Sequence, residues 1–197
     1  SLMAVFNRTF AGHSALTRNH AMFIRSTDGG VTWSEPINLA GPADASDPAL
    51  MASWAFPMVS KSGRIYVLYN QNQGTAGWLK MHCGTMAGIY SDDCGRTWSA
   101  AQDIPMPHSP YDDPQGRVPP EWIVWQAPMR DRAGGYTVGY THWLHPAVAR
   151  WKQCENWTQW ESVVEFMRFE NIDDDPEPRQ LRIRYSAWGE KALRVPY

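Results

Sequence analysis

The chain has 197 residues, a formal net charge of −2 and only 19% charged residues, against 13% aromatic residues that include eleven Trp. This length is sufficient for one domain with a sizeable core, and the absence of a basic run argues against a nucleic acid partner. No apolar run approaches the ~20 residues of a membrane span. The many strand formers, with fifteen Gly and fifteen Pro for turns, indicate an all-β fold.

The first forty residues are predicted to form three strands, at 2–7, 21–26 and 35–39. The second and third of these strands are joined by the segment 26–33, which reads Ser-Thr-Asp-Gly-Gly-Val-Thr-Trp. In this segment we expect Asp28 to accept backbone N–H groups of its own turn and Gly30 to supply a positive φ. Trp33 is expected to return to the apolar layer as the next strand begins.

The same segment recurs 65 residues later, at 91–98, as Ser-Asp-Asp-Cys-Gly-Arg-Thr-Trp. Asp93, Gly95 and Trp98 take the places of the three residues above, and both copies fit the pattern Ser-x-Asp-x-Gly-x-Thr-Trp. We therefore assign a structural role to both copies. The strands of this second unit are predicted near 56–60 and at 64–70, 86–91 and 100–104.

A further repeat links the second unit to a third. Residues 54–69 and 125–140 align without a gap at an offset of 71 and share Trp, Pro, Met, Gly, Val and Tyr. The strands of the third unit are predicted near 122–130 and at 136–142, 163–169 and 181–185. Units of four short antiparallel strands that repeat with so long a period are typical of β-propeller blades.

We therefore predict one partial β-propeller domain over residues 1–197, with blades at 1–40, 54–104 and 122–187. This amounts to about two and a half four-stranded blades, whereas a closed propeller needs about four or more. Bare sheet flanks invite aggregation. We expect a propeller of about six or seven blades, completed by missing sequence or by assembly of copies. No signal peptide is visible, which agrees with a sequence that begins inside the fold.

The candidate site is expected at the rim opposite the two repeated turns, where the longer connections and all six His lie. Arg8, Gln71 and His142 follow equivalent strands and should emerge near the central axis. Arg8 beside a titratable His142 is suited to hold a carboxylated sugar and move a proton, so we predict both as catalytic and Gln71 as substrate-binding. The alternative, that His142 and Gln71 cap strand ends, stays open.

Aromatic and polar residues of the same connections are predicted to contact a sugar ring, because apolar ring faces stack on indoles while hydroxyl groups need polar partners. These substrate-binding candidates are Trp78, His82, Trp143 and Arg117. Glu121, beside a Trp at a strand start, is the predicted catalytic acid.

The pair Asp112 and Asp113 near Arg117 is compatible with acid–base work, with Ca²⁺ binding or with a solvated turn. The sequence has no His-x-x-x-His, Cys-x-x-Cys or phosphate-binding glycine loop, so we predict no metal and no cofactor.

The repeated segment resembles the Asp-box, or BNR repeat, of sialidases (neuraminidases), which is also found in propeller polysaccharide lyases, other glycosidases and receptor domains. The resemblance implies an exo-α-sialidase propeller with an Arg triad on the substrate carboxylate, a Tyr nucleophile assisted by a Glu, and an Asp acid/base. The first Arg of that family lies in a Phe-Arg-Ile-Pro motif. The corresponding positions here are Ala55 and Gln126, so no catalytic residue is carried over by motif.

The resemblance thus implies a sialidase-like glycoside hydrolase that acts on a terminal acidic sugar of a glycan. Two alternatives are a propeller polysaccharide lyase that cleaves a uronate-containing glycan by β-elimination and a non-catalytic carbohydrate-binding propeller. The expected partner is a glycan or polysaccharide, and the resemblance implies a secreted or periplasmic location. A disulfide between Cys83 and Cys154 and three free thiols are both compatible with the sequence.

Overall fold

The computed structural model describes residues 1–10, 18–74, 83–150 and 161–194, and these residues form three antiparallel sheets. The first sheet has the order β1-β2-β3. Its strands are β1 (Leu2–Phe10), β2 (Arg18–Ser26) and β3 (Ile37–Ala40). β1 and β2 pair along their whole length, from Leu2 opposite Ser26 to Phe10 opposite Arg18.

The second sheet has four strands in sequence order. They are β4 (Ala52–Val59), β5 (Ile65–Asn72), β6 (Gly84–Ser91) and β7 (Gln102–Ile104). β5 and β6 are buried along almost their whole length because both faces of the sheet are covered. Pro57 lies in β4, at the edge of the sheet, where its missing N–H leaves no ladder bond unmade.

The third sheet has the order β12-β11-β10-β8, with β9 also paired to β10. Its strands are β8 (Glu121–Ile123), β9 (Met129–Arg130), β10 (Tyr136–Trp143), β11 (Ser162–Phe169) and β12 (Ile183–Ser186). The single first strand predicted at 122–130 is therefore split in two. β4 shows a register shift at the equivalent position, between Ser53 and Phe56, where Trp54 has a φ of 51°. The first strands of the second and third sheets are thus both irregular just before a Pro, at Pro57 and Pro128.

The all-β prediction and the prediction of four-stranded antiparallel blades are confirmed by these sheets. The main core lies between the second and third sheets. It includes Phe56, Met58, Leu68, Trp122, Met167 and Phe169, each at most 2% exposed. Each such side chain contributes about 1.5–3 kcal/mol through removal from water. A smaller cluster joins the first and second sheets through Ala21, Ala52 and Tyr69.

The two Ser-x-Asp-x-Gly-x-Thr-Trp turns have the same internal hydrogen bonds. In the second copy the Ser91 hydroxyl donates to Asp93 Oδ1 over 2.8 Å and accepts the Gly95 N–H at 2.9 Å. Thr97 donates its N–H to Asp93 Oδ1 at 2.8 Å and its hydroxyl to Oδ2 at 2.6 Å. The first copy repeats this arrangement around Asp28. The carboxylates of Asp28 and Asp93 therefore accept bonds from residues at most four positions away.

The indoles of the two turns have different surroundings. Trp98 packs edge-on against Phe23 of the first sheet, with ring centroids 5.1 Å apart. Trp33 is 42% exposed, so the expectation that it enters an apolar layer is not met among the described residues. The reason is positional: the second turn faces the first sheet, whereas no described sheet faces the first turn.

The acidic turn after β11, at residues 173–175, connects the second and third sheets. Asp173 accepts the backbone N–H of Lys61 at 2.9 Å and forms an ion pair with Arg130 at 2.5 Å. Arg64 donates to the carbonyl oxygen of Asp175 at 2.6 Å.

In the described residues, no helix is long and apolar enough to cross a membrane.

Candidate functional site

The strand registers place the repeated turns and the candidate site residues at opposite ends of the sheets. In the second sheet Ile65 pairs with Ser91 at the end that holds the repeated turn, and Asn72 pairs with Gly84 at the other end. His142 and Trp143 lie at the corresponding far end of β10. The rim with the longer connections is therefore the one that holds the predicted residues of the third sheet.

A cleft of about 460 Å³ opens at this rim. It lies where the connection between β7 and β8 passes the ends of β5 and β6. The residues that line it are Gln73, Thr85, Met106, Pro107, His108, Asp112, Gly116, Arg117, Val118, Pro119 and Pro120. Concave sites with a few convergent polar groups are the usual place for a small ligand.

The connection folds into a turn that separates the roles of the two adjacent carboxylates. Asp113 accepts the backbone N–H groups of Gln115 at 3.1 Å and Arg117 at 3.0 Å. These hydrogen bonds, led by the one from Gln115, hold the pKa of Asp113 below its usual range. Asp113 is therefore an internal acceptor of the turn, while Asp112 borders the cleft.

Two cationic or titratable side chains reach the cleft from the same connection. The Arg117 side chain is 67% exposed, and its Nε lies 3.4 Å from Asp113 Oδ2. His108 is exposed, and its Nε2 lies 3.2 Å from the carbonyl oxygen of Asp113. Because a carbonyl only accepts, Nε2 carries the proton and Nδ1 is the basic nitrogen of the ring. Asp113 thus positions both side chains.

A buried polar cluster lies behind Asp112. Nε2 of His142 is 2.8 Å from Asp112 Oδ1, and Nδ1 is 3.0 Å from Glu165 Oε2. His142 is 3% exposed and Glu165 is fully buried. Burial by itself lowers the pKa of His142, but the hydrogen bonds and charges of both carboxylates raise it to about 9. The imidazole is therefore held as a cation between two anions.

Tyr140 completes the cluster, because its hydroxyl donates to Glu165 Oε2 at 2.6 Å. A Tyr assisted by a Glu is also the nucleophile that the sialidase resemblance implies. Tyr140 is only 3% exposed, and burial, followed by the charge of Glu165, raises its pKa far above the usual range. A hydroxyl that is neither accessible nor readily ionised is a poor nucleophile, so in this structure Tyr140 is a member of the buried network.

The other predicted site residues within the described part of the chain are absent from the lining of the cleft. Arg8 is exposed on β1, with its guanidinium 6.0 Å from the Phe10 ring. Gln71 donates to the carbonyl oxygens of Met51 and Asn72 at 3.1 and 3.2 Å, so its amide serves the backbone. Glu121 is 4% exposed on β8.

Trp143 is 4% exposed and packs with Ile123 and Trp54. Its ring therefore supports the rim from inside and does not present a face to solvent. Trp78, His82 and Cys154 lie outside the described residues. Among the described residues, Arg117 is thus the one predicted site residue that lines the cleft.

Sequence reasoning missed His108, Glu165 and Tyr140. For Glu165 a signal was present: positions 163, 165, 167 and 169 of β11 share its buried face, so the carboxylate is placed among apolar side chains. For His108 the sequence offered only its place in the connection. No group of three or more His, Cys, Asp or Glu side chains in the described part of the chain is arranged to hold a metal ion.

Comparison with known proteins supports the architecture. No family model matches the sequence, and no curated protein matches it. A solved structure of a Hadza microbial sialidase is 16% identical and has a TM-score of 0.61, over 95% of this chain and 36% of that one. The shared property is the propeller fold. At this identity the similarity shows the fold alone, and this chain spans about a third of the sialidase.

Two further solved structures overlap less well. One is a Dyadobacter fermentans protein of unknown function, 11% identical over 93% of this chain and 49% of that one, with a TM-score of 0.43. The other is an endo-arabinase from Bacteroides thetaiotaomicron, 12% identical over 92% of this chain and 57% of that one, with a TM-score of 0.45.

Proposed function

We propose that this chain is part of a sialidase-like glycoside hydrolase that acts on a terminal acidic sugar of a glycan. The observation that carries the proposal is the cleft at the rim opposite the repeated turns. There an exposed guanidinium, an exposed imidazole and a buried carboxylate, from Arg117, His108 and Asp112, line one cavity. The Asp-box resemblance and the propeller fold support the same class of substrate.

Arg117 is proposed to bind the carboxylate of the sugar. Its planar guanidinium offers paired N–H donors that match the two oxygens of a carboxylate. One donor, Nε, is already directed toward Asp113, which restricts the side chain without enclosing it. A neutral sugar lacks the group that this contact requires, so Arg117 would discriminate between acidic and neutral glycans.

Asp112 and His108 are proposed to serve the chemical step. Glycoside cleavage develops positive charge at the anomeric carbon, and an anionic Asp112 in the cleft wall would stabilise it. His108 in its cationic form would give its Nδ1 proton to the leaving oxygen as the glycosidic C–O bond breaks. Water then adds its OH to the anomeric carbon and returns a proton to the imidazole. Arg8 and Glu121 stay predicted as further site residues.

A second candidate, β-elimination from a uronate-containing glycan, is favoured by His108 and Arg117 lining the same cleft. In that reaction the imidazole removes the proton α to the carboxylate that the guanidinium neutralises, and the leaving oxygen departs with its electron pair. A carbohydrate-binding protein without turnover would need only Arg117. A secreted or periplasmic location is proposed with each of these functions, since their substrates are extracellular glycans.

Product analysis separates the candidates. The intact protein that contains this chain is incubated with a sialylated oligosaccharide and, separately, with a uronate-containing polysaccharide. Release of the free acidic sugar supports the hydrolase. An unsaturated product that absorbs in the ultraviolet overturns it in favour of the lyase, and saturable binding without a product overturns it in favour of a binding protein.

Arg117→Ala tests the cleft itself. We expect the KM or Kd for the acidic glycan to rise about 10- to 100-fold, because a charge-assisted contact contributes roughly 1.5–3 kcal/mol. Arg132→Ala is the matched control, since Arg132 is an exposed Arg in the turn at the opposite rim. Unchanged affinity in Arg117→Ala, or an equal loss in the control, would show that the acidic sugar does not bind in this cleft.

A further inference from the structure

The buried cluster behind the cleft consists of Asp112, His142, Glu165 and Tyr140. His142 uses both ring nitrogens, one toward Asp112 and the other toward Glu165. An ionised carboxylate can only accept hydrogen bonds, so an imidazole between two ionised carboxylates must carry a proton on each nitrogen. With both carboxylates ionised, these contacts describe an imidazolium shared by two anions.

The carboxylate of Glu165 is surrounded by hydrogen-bond donors from inside the fold. Its Oε2 accepts both His142 and the Tyr140 hydroxyl, and its Oε1 accepts the backbone N–H of Gly189 at 2.9 Å. Three donors thus surround this fully buried carboxylate. Asp112 has fewer donors: His142 reaches Oδ1, and the backbone N–H of Ser109 reaches Oδ2 at 2.6 Å. The unbalanced negative charge of the cluster consequently lies on the side of the cleft.

We infer that His142 is a positioning residue that acts through Asp112, fixing its carboxylate at the wall of the cleft, while Glu165 and Tyr140 fix the imidazolium from behind. The inference rests on the proposed function of the cleft and differs from the expectation that His142 itself touches substrate. His142 is 3% exposed and is absent from the lining of the cleft. Asp112 belongs both to the buried cluster and to the lining of the cleft.

The other groups around His142 are aromatic rings, together with one Arg that is bound elsewhere. The ring of Tyr111 meets it edge-on at 6.2 Å, and the ring of Tyr140 stacks on it at 6.2 Å. The Tyr111 hydroxyl donates to the carbonyl oxygen of Gly189 and accepts Arg194. Arg194 is therefore bound to Tyr111 and does not compete for either carboxylate of the cluster. The raised pKa of His142 agrees with the geometry.

The first test is nuclear magnetic resonance of the intact protein with isotope-labelled histidine. Between about pH 6 and 8, where a free imidazole loses its proton, both ring nitrogens of His142 should stay protonated. A singly protonated His142 at about pH 7 would overturn the inference whatever the protein binds. This measurement is independent of catalysis, so it separates failure of the inference from failure of the proposed function.

Two variants identify the source of the charge. Glu165→Gln removes one of the two anions, and the titration of His142 should move to lower pH by about one unit or more. Tyr140→Phe is the control, because it removes only a hydroxyl and leaves both carboxylates. A titration that is unchanged in Glu165→Gln would refute the shared imidazolium. The wild-type measurement stays decisive where Glu165→Gln does not fold.

The kinetic test uses His142→Gln, which keeps hydrogen-bonding capacity without a positive charge. We expect kcat to fall about tenfold or more, since a displaced catalytic group is costly, while KM for the acidic glycan changes little because Arg117 is intact. Arg117→Ala should raise KM instead. A rise in KM with unchanged kcat in His142→Gln would show that His142 binds substrate and does not position Asp112.

Discussion

The contact between the second repeated turn and the first sheet can be tested by adding a single methyl group. Gly95 has a φ of 77°, and a Cβ built at this position would lie 2.3 Å from Cζ of Phe23. Phe23 is fully buried, so its ring has little room to move. Gly95→Ala therefore combines a left-handed backbone with a steric overlap.

The two costs can be separated because the chain contains a matched glycine. Gly29 also has a φ of 77°, and a Cβ there would meet nothing within 4 Å. The left-handed conformation costs a residue with a Cβ about 1–2 kcal/mol, which is all that Gly29→Ala should lose. Overpacking adds about 1–3 kcal/mol, so Gly95→Ala should lose about 2–5 kcal/mol of unfolding free energy.

Chemical denaturation of the two variants and wild type measures these losses. The same substitution is also made in a Phe23→Leu protein, in which the side chain that the new methyl group meets is smaller. In that background Gly95→Ala should cost less, with a coupling energy of about 1–3 kcal/mol between the two positions. Equal losses at Gly29 and Gly95, or zero coupling with Phe23, would refute the packing of the second turn on the first sheet.

Two further predictions concern the same turn. The hydrogen bonds from the Thr97 hydroxyl and then its N–H hold the pKa of Asp93 far below its usual range. The stabilisation by Asp93 is therefore complete above about pH 4 and is lost as the pH falls through the folded-state pKa. Stability measured from pH 7 to 2 should therefore fall less steeply in Asp93→Asn than in wild type. Cys94 has a φ of 60°, so Cys94→Gly should raise the free energy of unfolding by about 0.5–1 kcal/mol, and a loss of stability would contradict the strain.

The accuracy of the sequence predictions follows the range of the interactions involved. The turns were predictable because the hydrogen bonds of their Ser and Asp side chains join residues at most four positions apart. The strands were predictable from their apolar runs. The break between β8 and β9 was not, because Pro128 occupies the same repeat position as Pro57, which lies within the unbroken β4. The spacing of the repeats likewise identified blades and the rim with the longer connections.

The site depends on contacts between distant parts of the chain. His142 meets Glu165, 23 positions away, and Asp112, 30 positions away on a separate connection. Nothing in the local sequence distinguishes a His that reaches solvent from one enclosed by two carboxylates. The same holds for Asp112 and Asp113, adjacent residues of which one faces the cleft and the other serves its own turn.

The sequence by itself thus determined the repeating unit, the all-β scaffold and the end of the sheets where a site belongs, because these properties arise from local hydrogen bonds and from the alternation of side chains along strands. Only the tertiary structure decided which polar residues enter the cleft and which lie behind it. That choice depends on how the connection between β7 and β8 packs over the end of β10, where His142 is enclosed beside Asp112 and Glu165 and does not line the cleft.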